Sequence, residues 1–377
     1  MGRTRPSLGV PPAAYRKDAR AKRARQTSNK DIPALLQAYP RAKKGVESSE
    51  LIVNPPPVDS TNQKVSLKHE NDAQADPSTI DGSEAPTTPA VKVNVCVADT
   101  FQAAADFAQA SQSPSLKRGK LAVLNMASPL RAGGGFLNGA TAQEETLCMR
   151  STLYPSLRDE FYRLPEVGGI WTPDVLVFRS HHEGAPDLPK NDRFFVNVIS
   201  SAMLRFPDLE EDDEGEKCYA EPEDRKIAEQ KIRAVMRIAK SKGAKRLVLS
   251  AWGCGAFKNP VGETARIWKK VLLGGKSSGK ASAVEEWGDM DIVFAIKERA
   301  MADTFARNFG VDLVVPMDDG PDGDQAGKSG DHDEDGATEL QAKIGELEAQ
   351  IASARDPGLK NRLTTIVTKL RNDEDGR

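Results

Sequence analysis

The sequence predicts a three-layer α/β/α domain, and two observations support this fold class. Short apolar runs of strand length alternate with helical patterns between about residues 91 and 316. These runs are continuous instead of alternating with polar residues, which indicates strands covered on both faces by helices. Hydrophobic residues make up 38% of the 377-residue chain, below the roughly 45–50% usual in globular domains. Part of the chain is therefore expected to lie outside the packed core.

Several protein classes are excluded by composition. The longest uncharged apolar runs, at 121–130 and 247–257, are shorter than the roughly 18 residues of a membrane span, so no membrane association is expected. Arg3 and Arg5 are not followed by the apolar stretch of a secretory signal. The four cysteines are widely spaced and form no CxxC pair. This spacing indicates a reducing compartment, nuclear or cytoplasmic, without a disulfide framework or zinc ribbon.

The first 90 residues are predicted to form three segments. Residues 1–14 are expected to be a disordered basic tail, and residues 15–54 helices that pack on the main domain. Residues 55–90, rich in Pro, Ser and Thr, read as a disordered insertion. Residues 1–45 hold twelve Lys or Arg against Asp18 and Asp31. Such a cluster is typical of a phosphate contact or a nuclear-import signal, and equally of a solvated helix face.

The main domain is predicted to span residues 91–316, and its elements follow from apolar runs and capping residues. The acidic stretch 208–216 is expected to be a solvated loop. Helices are expected at 99–112, 142–163, 223–242, 261–273 and 299–308. Strands are expected at 91–97, 121–126, 175–178, 194–199, 246–251, 291–296 and 313–315.

A run of three glycines, Gly133, Gly134 and Gly135, follows the strand that ends near Asn125. Ligands of open α/β sheets bind beyond the carboxyl ends of strands, and glycines let the backbone approach a ligand closely. A flexible turn would explain the same three residues. Further along, the sequence Gln143, Glu144, Glu145 begins a predicted helix within an apolar stretch. Adjacent carboxylates are commonly solvated, but burial here would favour the protonated form that a general acid needs.

A second glycine loop follows the strand at 246–251. A strand that runs into a Gly-x-Gly turn and then a helix places backbone N–H groups at a helix N-terminus, which suits a diphosphate. The loop is neither a Walker loop nor a six-residue dinucleotide fingerprint. Its aromatic residue would lie against a sugar or base, or belong to the core. The loop consists of Gly253, Cys254, Gly255, Ala256 and Phe257.

The order and spacing of these motifs resemble the microbial-type poly(ADP-ribose) glycohydrolases, whose signature is GGG, six to eight residues, then QEE. Seven residues separate Gly135 from Gln143 here, and the second loop follows in the expected order. The resemblance extends more loosely over residues 16–316. It implies a macrodomain with a mixed central sheet.

The resemblance also implies a role for each motif residue. Glu145 would be the general acid/base that cleaves a ribose–ribose glycosidic bond, and Glu144 would hold the ribose hydroxyls. Gln143 would orient the pair, and the first glycine loop with Asn125 would line the catalytic ribose. Residues 253–257 would wrap the diphosphate, with Phe257 against the terminal ribose.

The expected partners are poly(ADP-ribose) or ADP-ribosylated proteins, and neither a cofactor nor a metal is implied. His181 and His182 have no ligand spacing around them and are expected in a surface loop. Two alternatives to a polymer hydrolase stay open. One is a module that binds ADP-ribose without cutting it, and the other is a hydrolase of mono-ADP-ribose attached to protein or nucleobase.

The C-terminal region is predicted to be an acidic linker at 317–338 followed by a helical tail at 339–371. Leu340, Ile344, Leu347 and Ile351 recur at coiled-coil spacing. Two heptads are fewer than the three or four that indicate a coiled coil. A short helix that associates with itself or with a partner is expected, and a weakly helical tail without a function is the alternative.

Overall fold

In the computed structural model, the described residues are 13–58, 91–109, 121–182, 184–274, 285–288, 290–315 and 364. Contacts divide the chain into the unit Lys17–Pro316 and a second unit, Met1–Arg16 with Met317–Arg377. The second unit lies almost wholly outside the described residues. Almost all of the predicted basic tail, insertion and helical tail, and the whole of the acidic linker, also lie outside them, and the predicted domain boundaries stay predictions.

A mixed eight-stranded sheet forms the centre of the larger unit. Its strand order is β1-β4-β5-β3-β8-β9-β2-β10. β4 is antiparallel to both β1 and β5, and the remaining pairs are parallel. These strands are β1 (Glu50–Val53), β2 (Lys92–Cys96), β3 (Leu121–Met126), β4 (Gly168–Val177), β5 (Phe194–Ser201), β8 (Arg246–Leu249), β9 (Asp291–Ala295) and β10 (Leu313–Val314).

Helices cover both faces of this sheet, as the continuous apolar strands predict. The helices are α1 (Ala13–Gln26), α2 (Ile32–Ala38), α3 (Pro40–Glu47), α4 (Thr100–Gln109), α5 (Gln143–Arg150), α6 (Pro222–Ser241), α7 (Val261–Leu273) and α8 (Arg299–Phe309). Successive residues of β3 enter different cores: Ala122 and Leu124 pack with α6, α7 and α8, whereas Leu121 and Val123 pack with α1, α4 and α5. A π-helical turn, Thr27–Asp31, joins α1 to α2.

Two sequence predictions about elements are wrong. The helix predicted at 142–163 ends at Arg150, because Ser151 is extended (φ −144°) and the chain then runs beside β4, where Thr152 N–H donates to Leu176 O at 3.0 Å. The acidic stretch 208–216 is not simply a loop. It contains β6 (Leu209–Glu211), which pairs antiparallel with β7 (Lys217–Tyr219).

The N-terminal helices are fixed to the sheet by buried arginine. Arg179 is 4% exposed, and its guanidinium donates to Asp31 Oδ2 (2.6 Å), Thr27 Oγ1 (2.7 Å) and Asp187 Oδ1 (2.9 Å). A buried guanidinium is tolerated only where carboxylates and other acceptors satisfy it. The side chain of Arg179, which follows β4, therefore holds the helical turn that contains Thr27 and Asp31 in place.

α1 also contacts the segment between the first glycine loop (Gly133–Gly135) and α5. Arg20 Nε donates to Gly139 O at 2.7 Å, and a Cβ on Gly139 would overlap the carbonyl oxygen of Lys17. Gly139 adopts a φ of +80°, a backbone conformation that side chains other than glycine rarely take. The glycine here permits close packing between α1 and the loop that precedes α5.

Candidate active site

The two glycine loops lie at the same edge of the sheet. The first follows β3 and the second follows β8, and these two strands are adjacent and parallel. The carboxyl ends of β5, β9 and β2 reach the same edge, because each is parallel to its neighbour in this part of the sheet. This edge is where open α/β folds bind ligands.

Gln143, the first residue of α5, fixes the helix against β3. Its Oε1 accepts the Met126 N–H at 2.8 Å, and its Nε2 donates to Leu124 O at 2.8 Å and Thr100 Oγ1 at 3.2 Å. The amide thus continues the hydrogen bonding of the strand end. The side chain of Gln143 therefore fixes the start of α5, which carries the two glutamates, against the end of β3.

Glu144 is buried and hydrogen-bonded within the protein. It is 3% exposed; its Oε2 accepts the Ser128 N–H at 2.8 Å, and its Oε1 accepts from Asn125 Nδ2 at 3.3 Å. Asn125 is fully buried and also donates to Ser200 Oγ at 3.0 Å. The side chain of Glu144 is therefore held between the first glycine loop and the ends of β3 and β5.

Glu145 faces the three glycines. It is 8% exposed, and its Oε1 accepts the Gly135 N–H at 2.7 Å. A Cβ on Gly134, where φ is +55°, would lie 2.6 Å from Glu145 Oε1 and 3.0 Å from Glu144 Oε2. No residue with a side chain fits at this position without displacing a carboxylate. Gly134 is thus required by close contact with both glutamates, whereas a Cβ on Gly133 would clash with Tyr154 and one on Gly135 with Ala140.

The electrostatics of the pair favour one retained proton. Burial raises the pKa of the Glu144 carboxyl to about 8; the Ser128 N–H opposes this shift, and the negative charge of Glu145 adds to it. Two adjacent buried carboxyls cannot both ionise at low cost, so they titrate as a pair. Burial therefore favours the protonated form of the Glu144 carboxyl, so the site can retain a proton.

The second glycine loop is stabilised mainly by Asn259. Its Nδ2 donates to Gly253 O at 3.0 Å and Leu204 O at 2.8 Å, and its Oδ1 accepts from Tyr219 Oη at 2.8 Å. Gly253 has a φ of +81°, and a Cβ there would lie 2.6 Å from Asn259 Nδ2. Cys254 is buried, and burial raises the pKa of its thiol to about 12. Cys254 is therefore an unreactive packing residue.

Gly255, Ala256 and Phe257 form the outer part of the second loop. Gly255 and Ala256 are exposed, and Phe257 is half-buried. The Arg205 guanidinium lies 5.4 Å from the centroid of the Phe257 ring, and Phe257 O accepts the Phe206 N–H at 2.9 Å. A half-buried ring with exposed neighbours leaves backbone N–H groups and an aromatic face accessible to a ligand.

The structure brings the motif residues of the first loop into direct contact and places the second loop at the same sheet edge. Sequence reasoning missed three residues that hold them. Ser128 binds Glu144 through its backbone, Ser200 binds Asn125, and Asn259 shapes the second loop. In the sequence, each of the three is a polar residue just beyond a strand end or before a helix. That position does not identify the residue that it binds in the fold.

Two classes of site lack support in the described part of the chain. No group of three or more His, Cys, Asp or Glu side chains among the described residues is arranged to hold a metal ion. Within the same residues, no helix is both long enough and apolar enough to cross a membrane.

The fold and the site define an α/β/α protein with a buried carboxylate pair beneath a glycine loop. Residues 50–180 match the family model described as microbial-type PARG, catalytic domain, which confirms the resemblance indicated by the motifs. No curated protein matches the chain.

Two crystal structures of poly(ADP-ribose) glycohydrolase from Thermomonospora curvata are similar in fold. One has 24% sequence identity and a TM-score of 0.53 over 78% of this chain and 100% of that chain. The other, bound to the inhibitor ADP-HPD, has 23% identity and a TM-score of 0.52 over the same shares. The enzyme from Deinococcus radiodurans with ADP-ribose matches 59% of this chain and 86% of its own, with 25% identity and a TM-score of 0.44. The predicted macrodomain with a mixed sheet is confirmed by the Thermomonospora structures.

Proposed function

We propose that this protein hydrolyses the ribose–ribose O-glycosidic bonds of poly(ADP-ribose) and releases ADP-ribose. The observation that carries the proposal is the buried pair Glu144 and Glu145, held against the glycine loop by the N–H groups of Ser128 and Gly135. The family match over residues 50–180 supports the same activity. A protein that only binds ADP-ribose has no need of two adjacent buried carboxylates, whose burial is costly.

Glu145 is the proposed general acid/base. Its Oε1 accepts the Gly135 N–H, beside the glycine loop that lines the catalytic ribose in this proposal. Burial raises the pKa of the neighbouring Glu144 carboxyl, so the pair retains a proton, which Glu145 delivers. Glu145 gives this proton to the departing ribose oxygen as the C1–O bond breaks, and the anomeric carbon becomes an oxocarbenium-like centre. Water then attacks that carbon, and the Glu145 carboxylate takes the proton from the water.

The other motif residues bind the substrate in this proposal. Glu144, fixed by Asn125 and Ser128, holds the ribose hydroxyls, and the backbone of the first glycine loop lines the catalytic ribose. The second loop, from Gly253 to Phe257, provides N–H groups for the diphosphate and an aromatic ring for the terminal ribose. Adjacent glutamates cannot lie on opposite sides of one bond, so one carboxylate is catalytic in proton transfer and the other binds.

The activity is tested by incubation with labelled poly(ADP-ribose) and, in parallel, with mono-ADP-ribosylated protein. We expect release of free ADP-ribose from the polymer. Binding of polymer without release would contradict the proposal and favour a binding module. Release from the mono-modified protein alone would show that the site cleaves a different linkage.

Gly255→Val is expected to weaken ADP-ribose binding about tenfold or more without loss of the fold. A Cβ on Gly255 has no described atom within 4 Å, so the free energy of unfolding should change by no more than about 0.5 kcal/mol. A valine side chain would instead block the approach of a diphosphate to the loop backbone. Calorimetric titration with ADP-ribose measures the change in affinity.

Gly253→Val provides the contrast for this experiment. Its positive φ and the nearby Asn259 amide predict a loss of stability as well as of binding. If a folded Gly255→Val protein bound ADP-ribose with unchanged affinity, the second loop would not be the diphosphate site.

A further inference from the structure

A cavity of about 470 Å³ opens beside the first glycine loop. Apart from Gly134, the proposed mechanism uses none of the residues that line it. Its volume falls within the range of small-molecule sites, about 300–1,000 Å³. We call it the loop cavity. Its lining includes Arg131, Gly134, Tyr154, Asp159, Tyr162 and Arg163.

The loop cavity adjoins the carboxylate pair through two of its lining residues. Gly134 is the residue whose Cβ would contact the oxygens of Glu144 and Glu145. Tyr162 has a buried hydroxyl oxygen; burial raises the pKa of Tyr162, and the negative charge of Glu144 contributes to the shift. A ligand in the cavity would therefore lie next to the bond that Glu145 is proposed to cleave.

The charged side chains of the cavity suit a phosphate. Arg131 and Arg163 are both exposed, and neither forms an ion pair with another residue that the structure describes. Asp159 is the single carboxylate of the lining, so the lining carries a net positive charge. Guanidinium groups bind phosphate oxygens through paired N–H donors.

The aromatic side chains of the cavity suit a nucleobase. Tyr154 and Tyr162 both contribute to the lining, and the Tyr154 ring is held in place by Phe136, with the ring centroids 5.0 Å apart. Nucleobases stack favourably on aromatic rings, and a ring already fixed by packing loses little conformational freedom on binding.

We propose that the loop cavity binds the nucleotide on the leaving side of the scissile bond, which is the ADP-ribose unit that precedes the released one. Arg131 and Arg163 contact its phosphates, and Tyr154 and Tyr162 contact its adenosine. This inference rests on the proposed function, because only a polymer has a nucleotide on that side. It makes the cavity a determinant of preference for polymer over singly attached ADP-ribose.

The test compares the binding of ADP-ribose with that of a fragment of two linked ADP-ribose units, using the Glu145→Gln protein to prevent turnover. We expect the two-unit fragment to bind about tenfold or more tightly than ADP-ribose, because the cavity adds charge-assisted hydrogen bonds. Adding Arg131→Ala and Arg163→Ala should reduce the two affinities to within about twofold of each other. The affinity for ADP-ribose itself should stay the same.

Lys43→Ala with Lys44→Ala is the matched control, since it removes two positive charges from the exposed surface of α3 and should leave the preference for the fragment intact. Equal binding of the two ligands before the arginines are changed would overturn the proposal, as would a preference that survives their loss. Absence of polymer hydrolysis by the wild-type protein would overturn the proposed function instead. The comparison of the two affinities would still test whether the loop cavity binds a second nucleotide, because it involves no turnover.

Discussion

Glu145→Gln is expected to lower the turnover of poly(ADP-ribose) by at least about 10²–10⁴-fold, the usual contribution of general acid/base catalysis. The amide keeps the shape of the carboxyl and can still accept the Gly135 N–H that now binds Oε1, but it cannot deliver a proton. ADP-ribose affinity should therefore change little. Turnover measured on labelled polymer and affinity measured by calorimetry separate the two effects.

The Glu144→Ala variant tests whether the two carboxylates have different roles. Removal of the Glu144 carboxylate leaves the Ser128 N–H and the Asn125 amide without their acceptor, so substrate positioning and rate should both suffer. A Glu145→Gln protein that turns over polymer at the wild-type rate would refute the assignment of the acid. A fully active Glu144→Ala protein would remove Glu144 from the site.

The carboxylate pair is also expected to make the protein less stable as the pH rises. The pKa of Glu144 is raised by burial from 4.5 to about 8 in the folded state. Between these two values the folded protein binds more protons than the unfolded chain, so the free energy of unfolding falls as pH increases. The stabilising contribution is complete below about pH 4.5 and is lost by about pH 8. Its size is of the order of 5 kcal/mol, from about 1.4 kcal/mol per pKa unit.

Urea denaturation at pH 5 and pH 8 measures this contribution when the wild type is compared with the double variant Glu144→Gln, Glu145→Gln. The variant cannot titrate at the site, and Asn125 can turn its amide so that Oδ1, which has no hydrogen-bond partner among the described residues, accepts from the new glutamine. The wild type should lose more stability than the variant between the two pH values. Equal losses would show that the pair holds no extra proton.

Glu229→Gln is a control with the opposite sign. Burial alone would raise the pKa of Glu229, but Lys270 and Arg233 lower it below its ordinary value. The Glu229 carboxylate therefore adds to the free energy of unfolding at neutral pH, and this contribution is lost as the pH falls. This substitution should reduce the free energy of unfolding at pH 8 and have its smallest effect in acid.

The parts of the fold that the sequence predicts well depend on local patterns. Continuous apolar runs identified β3 and β9 because both faces of these strands are buried against helices. The early end of α5 was missed because Ser151 and Thr152 leave the helix to bond with β4, a contact with residues far along the chain. The β6–β7 pair was missed because its charged residues give no apolar alternation.

The residues of the candidate site also divide into those that a local motif predicts and those that depend on contacts between distant segments. The glycine run, Glu144 and Glu145 could be predicted, since their spacing is a motif within one segment. The donor from Ser128 and the support of Asn125 by Ser200 depend on how β3 and β5 pair. The loop cavity could not be predicted at all, because its lining combines the glycine loop with residues from the irregular segment after α5.

The position of β2 in the sheet has a consequence for synthesis of the protein. β2 lies between β9 and β10, and Lys92 pairs with Asp291, roughly 200 residues later in the chain. On the ribosome, both edges of β2 therefore remain unpaired until nearly the whole domain has been translated. Such late, long-range pairing slows folding and exposes strand edges to other chains. We expect nascent chains that stop before β9 to be prone to aggregation and to need chaperones.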